Sequence, residues 1–289
     1  MYELSTIEFS ILFARRRYVS SRGGLAHMSY TEAAAHPGLP SPLRGQVAIV
    51  TGAARGIGRA IAERLVADGI RVTAFDIATD VEHTAAEIGA SSASVVDVSD
   101  VGALQAAIHR TATVAGRLDI LVNCAGTCGR ESFEGLSLDV WQRDLATNLT
   151  ASAFASQAAV FPHMREQGYG RLVNISSVSG LAGGIGPVFA DGAGGRSGAA
   201  YAASKGGAIN LTKWIARQVG AWGITCNTVA PGPIASPMAA SGDYDVAAIP
   251  VPRMGEPHEV AAAVAYLVDP SSAYVNGTCL RVDGGMVMS

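Results

Sequence analysis

The sequence predicts an α/β fold, a doubly wound parallel sheet of about seven strands flanked by helices. Short apolar runs that fit buried strands alternate with alanine-rich helical stretches, which is the pattern of strand–helix–strand units. The 289 residues are enough for a sizeable core, and they contain no internal repeat. We expect a single nucleotide-binding catalytic domain over residues 44–289, preceded by an N-terminal extension over residues 1–43.

Charge and hydrophobicity argue against a nucleic-acid-binding protein and against a membrane-spanning one. The net charge of −3 gives no basic footprint for nucleic acid, and no apolar run reaches the roughly 18 to 20 residues that span a bilayer. In the extension an apolar run precedes the basic residues 15–17, the reverse of a secretory signal. We expect a cytoplasmic protein whose extension is either flexible or in contact with another subunit, and Met28 is an alternative start.

The first strand leads into a glycine-rich turn. Residues 47–51 read as a buried strand, and a helical stretch begins near residue 59. Glycines between them let the backbone approach a ligand closely, so a pyrophosphate can lie on the free N–H groups of the helix N-terminus. The residues predicted to contact a dinucleotide here are Gly52, Arg55, Gly56, Ile57 and Gly58.

The second strand, residues 71–75, ends in Asp76, which lies 18 positions (76 − 58) after Gly58. A carboxylate at this place suits the ribose diol of NAD and repels the 2′-phosphate of NADP. The next residue, Ile77, carries no positive charge that could bind a 2′-phosphate. We therefore expect NAD as the cofactor, and Arg55 keeps NADP open as the alternative.

Tyr201 and Lys205 are four residues apart, which on a helix places the phenol and the ammonium group on one face. A phenol has a pKa near ~10 in water, so a tyrosine works as a general acid/base at neutral pH only where positive charge stabilises its anion. Lys205 can supply that charge. Taken alone, the pair also fits two exposed residues on an ordinary helix.

Together these motifs resemble the short-chain dehydrogenase/reductase family, in its compact branch with 3-oxoacyl-ACP reductase-like members, from about Arg44 onward. The resemblance implies a Rossmann-type fold and a catalytic tetrad of Asn148, Ser177, Tyr201 and Lys205. It implies that Asn148 holds a water of the proton relay and that Ser177, not Ser176, orients the substrate oxygen. Cofactor contacts are also implied for Asp97, Val98, Asn123, Ala125, Gly126, Tyr201, Lys205, Pro231, Gly232, Ile234 and Ser236.

The activity that the resemblance implies is NAD-dependent interconversion of a secondary alcohol and a ketone by hydride transfer, with Tyr201 as general acid/base and without a metal. One alternative is a 3-oxoacyl thioester reductase that uses NADPH. Another is a non-catalytic cofactor-sensing protein of the same fold, against which the intact tetrad argues. The four cysteines lack metal-ligand spacing, and we expect them to be reduced.

Two further expectations concern the substrate and the assembly. The 24 positions (201 − 177) between Ser177 and Tyr201 include a glycine-rich surplus over residues 186–198. Our hypothesis is that Val188, Phe189 and Arg196 help to shape or cover the pocket for a small-molecule substrate, an alcohol or a ketone; a mobile surface loop is the alternative. Family members commonly form tetramers through two long helices, here near residues 139–167 and 200–220, so we expect a homotetramer.

Overall fold

The computed structural model describes residues 43–186, 197–241 and 244–288. In these residues seven parallel strands form one sheet in the order β3-β2-β1-β4-β5-β6-β7. The strands are β1 (Val47–Thr51), β2 (Arg71–Asp76), β3 (Ser92–Val95), β4 (Ile120–Asn123), β5 (Gly170–Ile175), β6 (Ile224–Pro231) and β7 (Cys279–Val282). This confirms the predicted doubly wound sheet. The strand order reverses between β1 and β4, which makes that boundary the switch point of the fold.

Helices cover both faces of the sheet. They are α1 (Gly56–Ala67), α2 (Asp80–Ile88), α3 (Val101–Ala115), α4 (Leu138–Leu145), α5 (Ala151–Ala159), α6 (Arg165–Gln167), α7 (Ser179–Ala182), α8 (Ala199–Val219) and α9 (Pro257–Val268). The apolar strand β1 shows why both faces are needed. Ala48 and Val50 enter the core beneath α1 and α9, while Val47 and Ile49 enter the core beneath α3 and α5.

The two long helices expected from the sequence differ in regularity. Helix α8 is continuous and begins and ends within one residue of the expected range. The stretch from α4 to α6 contains π-helical turns at Ala146–Thr150 and Val160–Met164, and it is interrupted at Phe161, whose backbone is extended (φ −113°, ψ 118°). The first π-helical turn carries Asn148, and such turns often occur at functional sites.

Two of the sequence-based expectations concern residues that the structure does not describe. The N-terminal extension up to residue 42, and Val188, Phe189 and Arg196 of the glycine-rich surplus, lie outside the described residues. In the part of the chain that is described, none of the helices combines the length and the apolar composition that crossing a bilayer requires.

Candidate active site

A cavity of about 570 Å³ opens at the carboxyl edge of the sheet, where residues that follow the central strands come together. Ligands bind at this edge, beside the switch point, in doubly wound folds. Most of the residues predicted from the sequence line it: Gly52, Arg55, Gly56, Ile57, Gly58, Asp76, Asp97, Val98, Ala125, Gly126, Ser177, Tyr201, Lys205, Pro231, Gly232, Ile234 and Ser236. Asn123 and Asn148 are not among its lining residues.

The glycine turn has the geometry that a pyrophosphate needs. A β-carbon at Gly58 would lie 2.0 Å from the Gly52 carbonyl oxygen, so only glycine lets α1 start this close to the turn. The N-cap residue of α1, Arg55, makes no side-chain hydrogen bond to the helix. The first N–H groups of α1 therefore lack a side-chain cap at the cavity, and an anion can accept from them.

Asp76 is held in place at the end of β2. Its carboxylate accepts hydrogen bonds from the backbone N–H groups of Ala54 and Ala78, both at 3.0 Å. These two bonds leave lone pairs on both carboxylate oxygens for a ribose hydroxyl. The residues present thus fit a dinucleotide cofactor: the glycine turn would hold its phosphates and Asp76 would bind a ribose.

Asn123 lies away from the cavity, inside the domain. As the last residue of β4 it directs its side chain toward α5, where its amide donates to Asn174 Oδ1 at 2.8 Å and to Ser156 Oγ at 3.3 Å. Alternation along the strand decides this direction, since successive side chains face opposite sides of a sheet. Its observed contacts join β4, β5 and α5, and its contact with a cofactor stays a prediction.

Tyr201, Ser177 and Lys205 meet at the cavity. Ser177 follows β5, and its hydroxyl forms a hydrogen bond with the Tyr201 side chain. Lys205 lies one helical turn after Tyr201, with Nζ 5.7 Å from the tyrosine ring centroid and 2.8 Å from the Ile175 carbonyl oxygen that accepts its hydrogen bond. Ser176 points elsewhere, since its hydroxyl donates to the Lys205 carbonyl oxygen at 2.7 Å. Of the two serines, Ser177 is thus the one bonded to the phenol.

Burial dominates the titration of both groups. The pKa of Tyr201 is raised above its ordinary value, mainly because burial disfavours the phenolate, although the Ser177 hydrogen bond and the Arg130 charge act in the opposite direction. Burial lowers the pKa of Lys205 to about 8. The free protein therefore holds Tyr201 as a neutral phenol at neutral pH.

Asn148 lies behind the cavity wall. Its side-chain amide donates to the Thr127 carbonyl oxygen and to Ser204 Oγ, both at 2.9 Å, and its Oδ1 accepts from Thr127 N at 2.9 Å. Both N–H donors of the amide are thereby used, and one lone pair of Oδ1 remains. A β-carbon at Gly126 would lie 3.1 Å from Asn148 Oδ1 and 3.5 Å from Lys205 Nζ, so the two predicted tetrad members flank the same glycine.

Three residues beside the cavity, Arg130, Tyr244 and Asp144, were not predicted from the sequence. The Arg130 guanidinium donates to the Tyr244 hydroxyl at 3.2 Å and to the Met238 carbonyl oxygen at 3.3 Å. Met238 and Tyr244 both line the cavity, so this arginine connects two parts of the cavity lining. Asp144, which is fully buried, bonds to the segment between β4 and α4. The one available signal in the sequence was the spacing of Asp144, which lies one helical turn before Asn148.

Comparison with known proteins finds oxidoreductases that are similar to this chain over most of its length. Residues 52–287 match the model of a family described as enoyl-(acyl carrier protein) reductase. A 3-oxoacyl-[acyl-carrier-protein] reductase of Vibrio harveyi is 38% identical over 255 residues, covering 85% of this chain and 99% of that protein. A (3R)-3-hydroxyacyl-CoA dehydrogenase of Mus musculus is 36% identical over 264 residues, covering 85% and 98% respectively. An acetoacetyl-CoA reductase of an Acinetobacter species is 37% identical over 255 residues, covering 84% and 98%.

The family match covers the whole sheet after β1 together with the cavity residues, and the relatives are aligned over nearly their full lengths. Fold, cavity and similarity therefore lead to one conclusion. The chain belongs to the short-chain dehydrogenase/reductase family, whose members are oxidoreductases that act on CH–OH and keto groups.

Proposed function

We propose that this protein is an NAD-dependent oxidoreductase that interconverts a secondary alcohol and a ketone, with Tyr201 as the general acid/base. The observation that carries the proposal is that Tyr201, Ser177 and Lys205 line the same cavity as the glycine turn and Asp76. The bound nicotinamide ring supplies or accepts the hydride. The chain's own side chains have to orient the substrate oxygen and move its proton.

Each side chain has a role that its chemistry supports. In the reductive direction the Tyr201 phenol, which its raised pKa keeps protonated at neutral pH, gives its proton to the oxygen of the ketone. The Ser177 hydroxyl donates a hydrogen bond to the same oxygen while negative charge develops on it. The protonated form of Lys205 stabilises the tyrosinate that remains. In the oxidative direction the same groups act in reverse order.

Asp76 supports NAD as the cofactor. The 2′-phosphate of NADP would have to lie close to a carboxylate that two backbone N–H groups hold in place. The two negative charges would repel each other. The second candidate, reduction of a 3-oxoacyl thioester with NADPH, is favoured by the names of the relatives and by the exposed Arg55 at the same cavity. Arg55 offers the cation that a 2′-phosphate needs.

We also propose a homotetramer located in the cytoplasm. Each of the two long helical stretches exposes a large aromatic side chain, Phe154 on α5 and Trp214 on α8, which favours burial against another subunit. The four cysteines of the chain are free thiols, which fits a reducing compartment. Sedimentation of the purified protein tests the tetramer.

The function is tested by absorbance of the reduced nicotinamide, with acetoacetyl-CoA plus NADH or NADPH and with a panel of secondary alcohols plus NAD or NADP. Tyr201→Phe lowers turnover by roughly 10² to 10⁴-fold. Tyr274→Phe, which changes a fully exposed tyrosine, is the matched control and leaves turnover unchanged. Asp76→Ser reduces the preference for NAD over NADP by about tenfold or more. Full turnover in Tyr201→Phe, or a wild-type preference for NADP, would contradict the respective part of the proposal.

A further inference from the structure

The cavity wall between β4 and α4 is held by side chains, because it has no regular structure of its own. Residues 124–130 belong to neither a helix nor a strand. Within them, residues 127–130, here called the wall segment, contribute Thr127, Cys128 and Arg130 to the cavity that Tyr201 also lines. Backbone groups outside helices and strands need other partners, and the partners of this segment come from α4, from the π-helical turn after it and from the N-cap of α8.

Asp144 is the central partner. Its Oδ1 accepts from the Thr127 hydroxyl at 2.7 Å, and its Oδ2 accepts from the Gly129 backbone N–H at 2.8 Å. Arg143 adds two more hydrogen bonds to Oδ1, at 2.9 and 3.2 Å. The carboxylate is fully buried, and a buried carboxylate is strongly unfavourable unless hydrogen bonds satisfy it. This carboxylate is satisfied in equal number by the wall segment and by Arg143, with two hydrogen bonds from each.

Helix α4 and the π-helical turn after it present one face to the wall segment. Val140, Asp144 and Asn148 are spaced four residues apart and therefore follow each other along that face. A β-carbon at Gly129 would lie 2.8 Å from Val140 Cγ1 and 3.1 Å from Asp144 Oδ2, so the segment packs directly on the helix. Asn148 binds the backbone of Thr127 while Asp144 binds its hydroxyl.

The segment in turn contacts the helix that carries Tyr201. The Gly129 carbonyl oxygen accepts a hydrogen bond of 2.7 Å from the backbone N–H of Gly198, the N-cap residue of α8. A β-carbon at Gly198 would lie 2.8 Å from that oxygen, so the approach is close. Movement of the segment would therefore be transmitted to the first turn of α8, where Tyr201 lies.

We propose that Asp144 is a positioning residue of this active site: it fixes the wall segment against the N-terminus of α8 and so sets the distance between the substrate and Tyr201. Its negative charge has a second effect, since it supports the protonated form of Lys205 and opposes the lowering of that pKa by burial. The catalytic part of this inference rests on the proposed function, whereas the positioning part concerns the folded protein alone.

The first test needs no substrate. Hydrogen–deuterium exchange is measured on the full-length protein and on Asp144→Asn, in which one acceptor oxygen is replaced by an amide nitrogen. Exchange in peptides covering residues 124–131 becomes at least roughly tenfold faster, while peptides of β5 and β6 are unchanged. Asp139→Asn, an exposed acidic residue on the same helix, is the matched control. Unchanged exchange over residues 124–131 in Asp144→Asn overturns the proposal.

The second test separates positioning from charge. Thr127→Val removes the hydroxyl but keeps the carboxylate, and Thr127→Ser restores a hydroxyl. With acetoacetyl-CoA as the probe, kcat/KM falls about tenfold in Thr127→Val and returns to within about threefold of wild type in Thr127→Ser. In Asp144→Asn the alkaline limb of the pH profile also moves to lower pH, because Lys205 loses its proton more easily; this limb stays in place in Thr127→Val. Equal kcat/KM in Thr127→Val and wild type would contradict the proposal.

The two tests distinguish failure of this inference from failure of the proposed function. If wild-type protein turns over none of the substrates, the proposed function is wrong or its substrate lies elsewhere, and the exchange experiment alone decides the positioning role of Asp144. Because Thr127→Val leaves the buried charge in place and paired with Arg143 and Gly129, it keeps the inference testable even if Asp144→Asn does not fold.

Discussion

Lys205 allows a direct prediction because the chain contains only two lysines, Lys205 and Lys213, both on α8. The Lys205 side chain is 4% exposed, and burial lowers its pKa from 10.5 to about 8. Lys213 is exposed eight residues further along the helix. Because burial is the main cause of the lowered pKa, Lys205 is a suitable group for a stability measurement.

The magnitude follows from linkage. The difference between 10.5 and about 8 is about 2.5, and at about 1.36 kcal/mol per pKa unit this equals about 3 kcal/mol. Between these two values the unfolded chain binds the proton that the folded protein has released, so the free energy of unfolding rises with pH. Below about pH 8 both states hold the proton, and the full penalty of about 3 kcal/mol applies. About 2 kcal/mol of it is recovered between pH 7 and 9.5.

The assay compares urea unfolding of wild type and Lys205→Met at several pH values. The lost hydrogen bond to Ile175 gives a constant offset, whereas the difference in unfolding free energy changes by about 2 kcal/mol from pH 7 to 9.5. Lys213→Met serves as the control for loss of a lysine. In parallel, NMR of protein labelled with ¹³C at lysine Cε follows two side chains only, and Lys205→Met assigns them. A pH-independent difference, or a Lys205 midpoint above about 10, would refute the reasoning.

Three further predictions concern the site and the residues that support it. Gly58→Ala places a β-carbon 2.0 Å from a carbonyl oxygen and should weaken dinucleotide binding more than tenfold in a titration, whereas Gly102→Ala, at an uncrowded helical position, leaves binding unchanged. Ser177→Ala lowers kcat by roughly 10² to 10³-fold, while Ser176→Ala changes the melting temperature more than kcat; equal effects on kcat would be inconsistent with the hydrogen bonds described above. Asp119→Asn removes a buried carboxylate that accepts from Val47 N at 2.8 Å, and calorimetry should show a loss of about 2 to 4 kcal/mol.

The residues of the glycine turn and the tyrosine–lysine pair were predictable because their chemistry is local. Tight packing at Gly58 depends on the few residues between β1 and α1, and the spacing of Tyr201 and Lys205 fixes their common face once a helix forms. Asp76 follows a strand whose end could be read from its apolar pattern. The fold class was predictable from the alternation of strands and helices, because each strand or helix has a local sequence pattern.

Other features depend on contacts between distant parts of the chain, and only the tertiary structure decides them. Asn123 pairs with Asn174, which lies 51 positions away, and Arg130 reaches Tyr244 across 114 positions. Neither pairing leaves a periodic signal in the sequence.

Asp144 reads as one more acidic residue on a helix until the fold places it under the wall segment, fully buried. The pKa of Tyr201 likewise depends on how the fold buries the side chain. From spacing alone, Lys205 was expected to lower the pKa of Tyr201, yet in the folded protein burial raises it. The sequence by itself determined which chemical groups are present and which of them share a helix face or a turn. The tertiary structure determined how far each group is removed from water, because desolvation is a property of the packed neighbours and not of the residue.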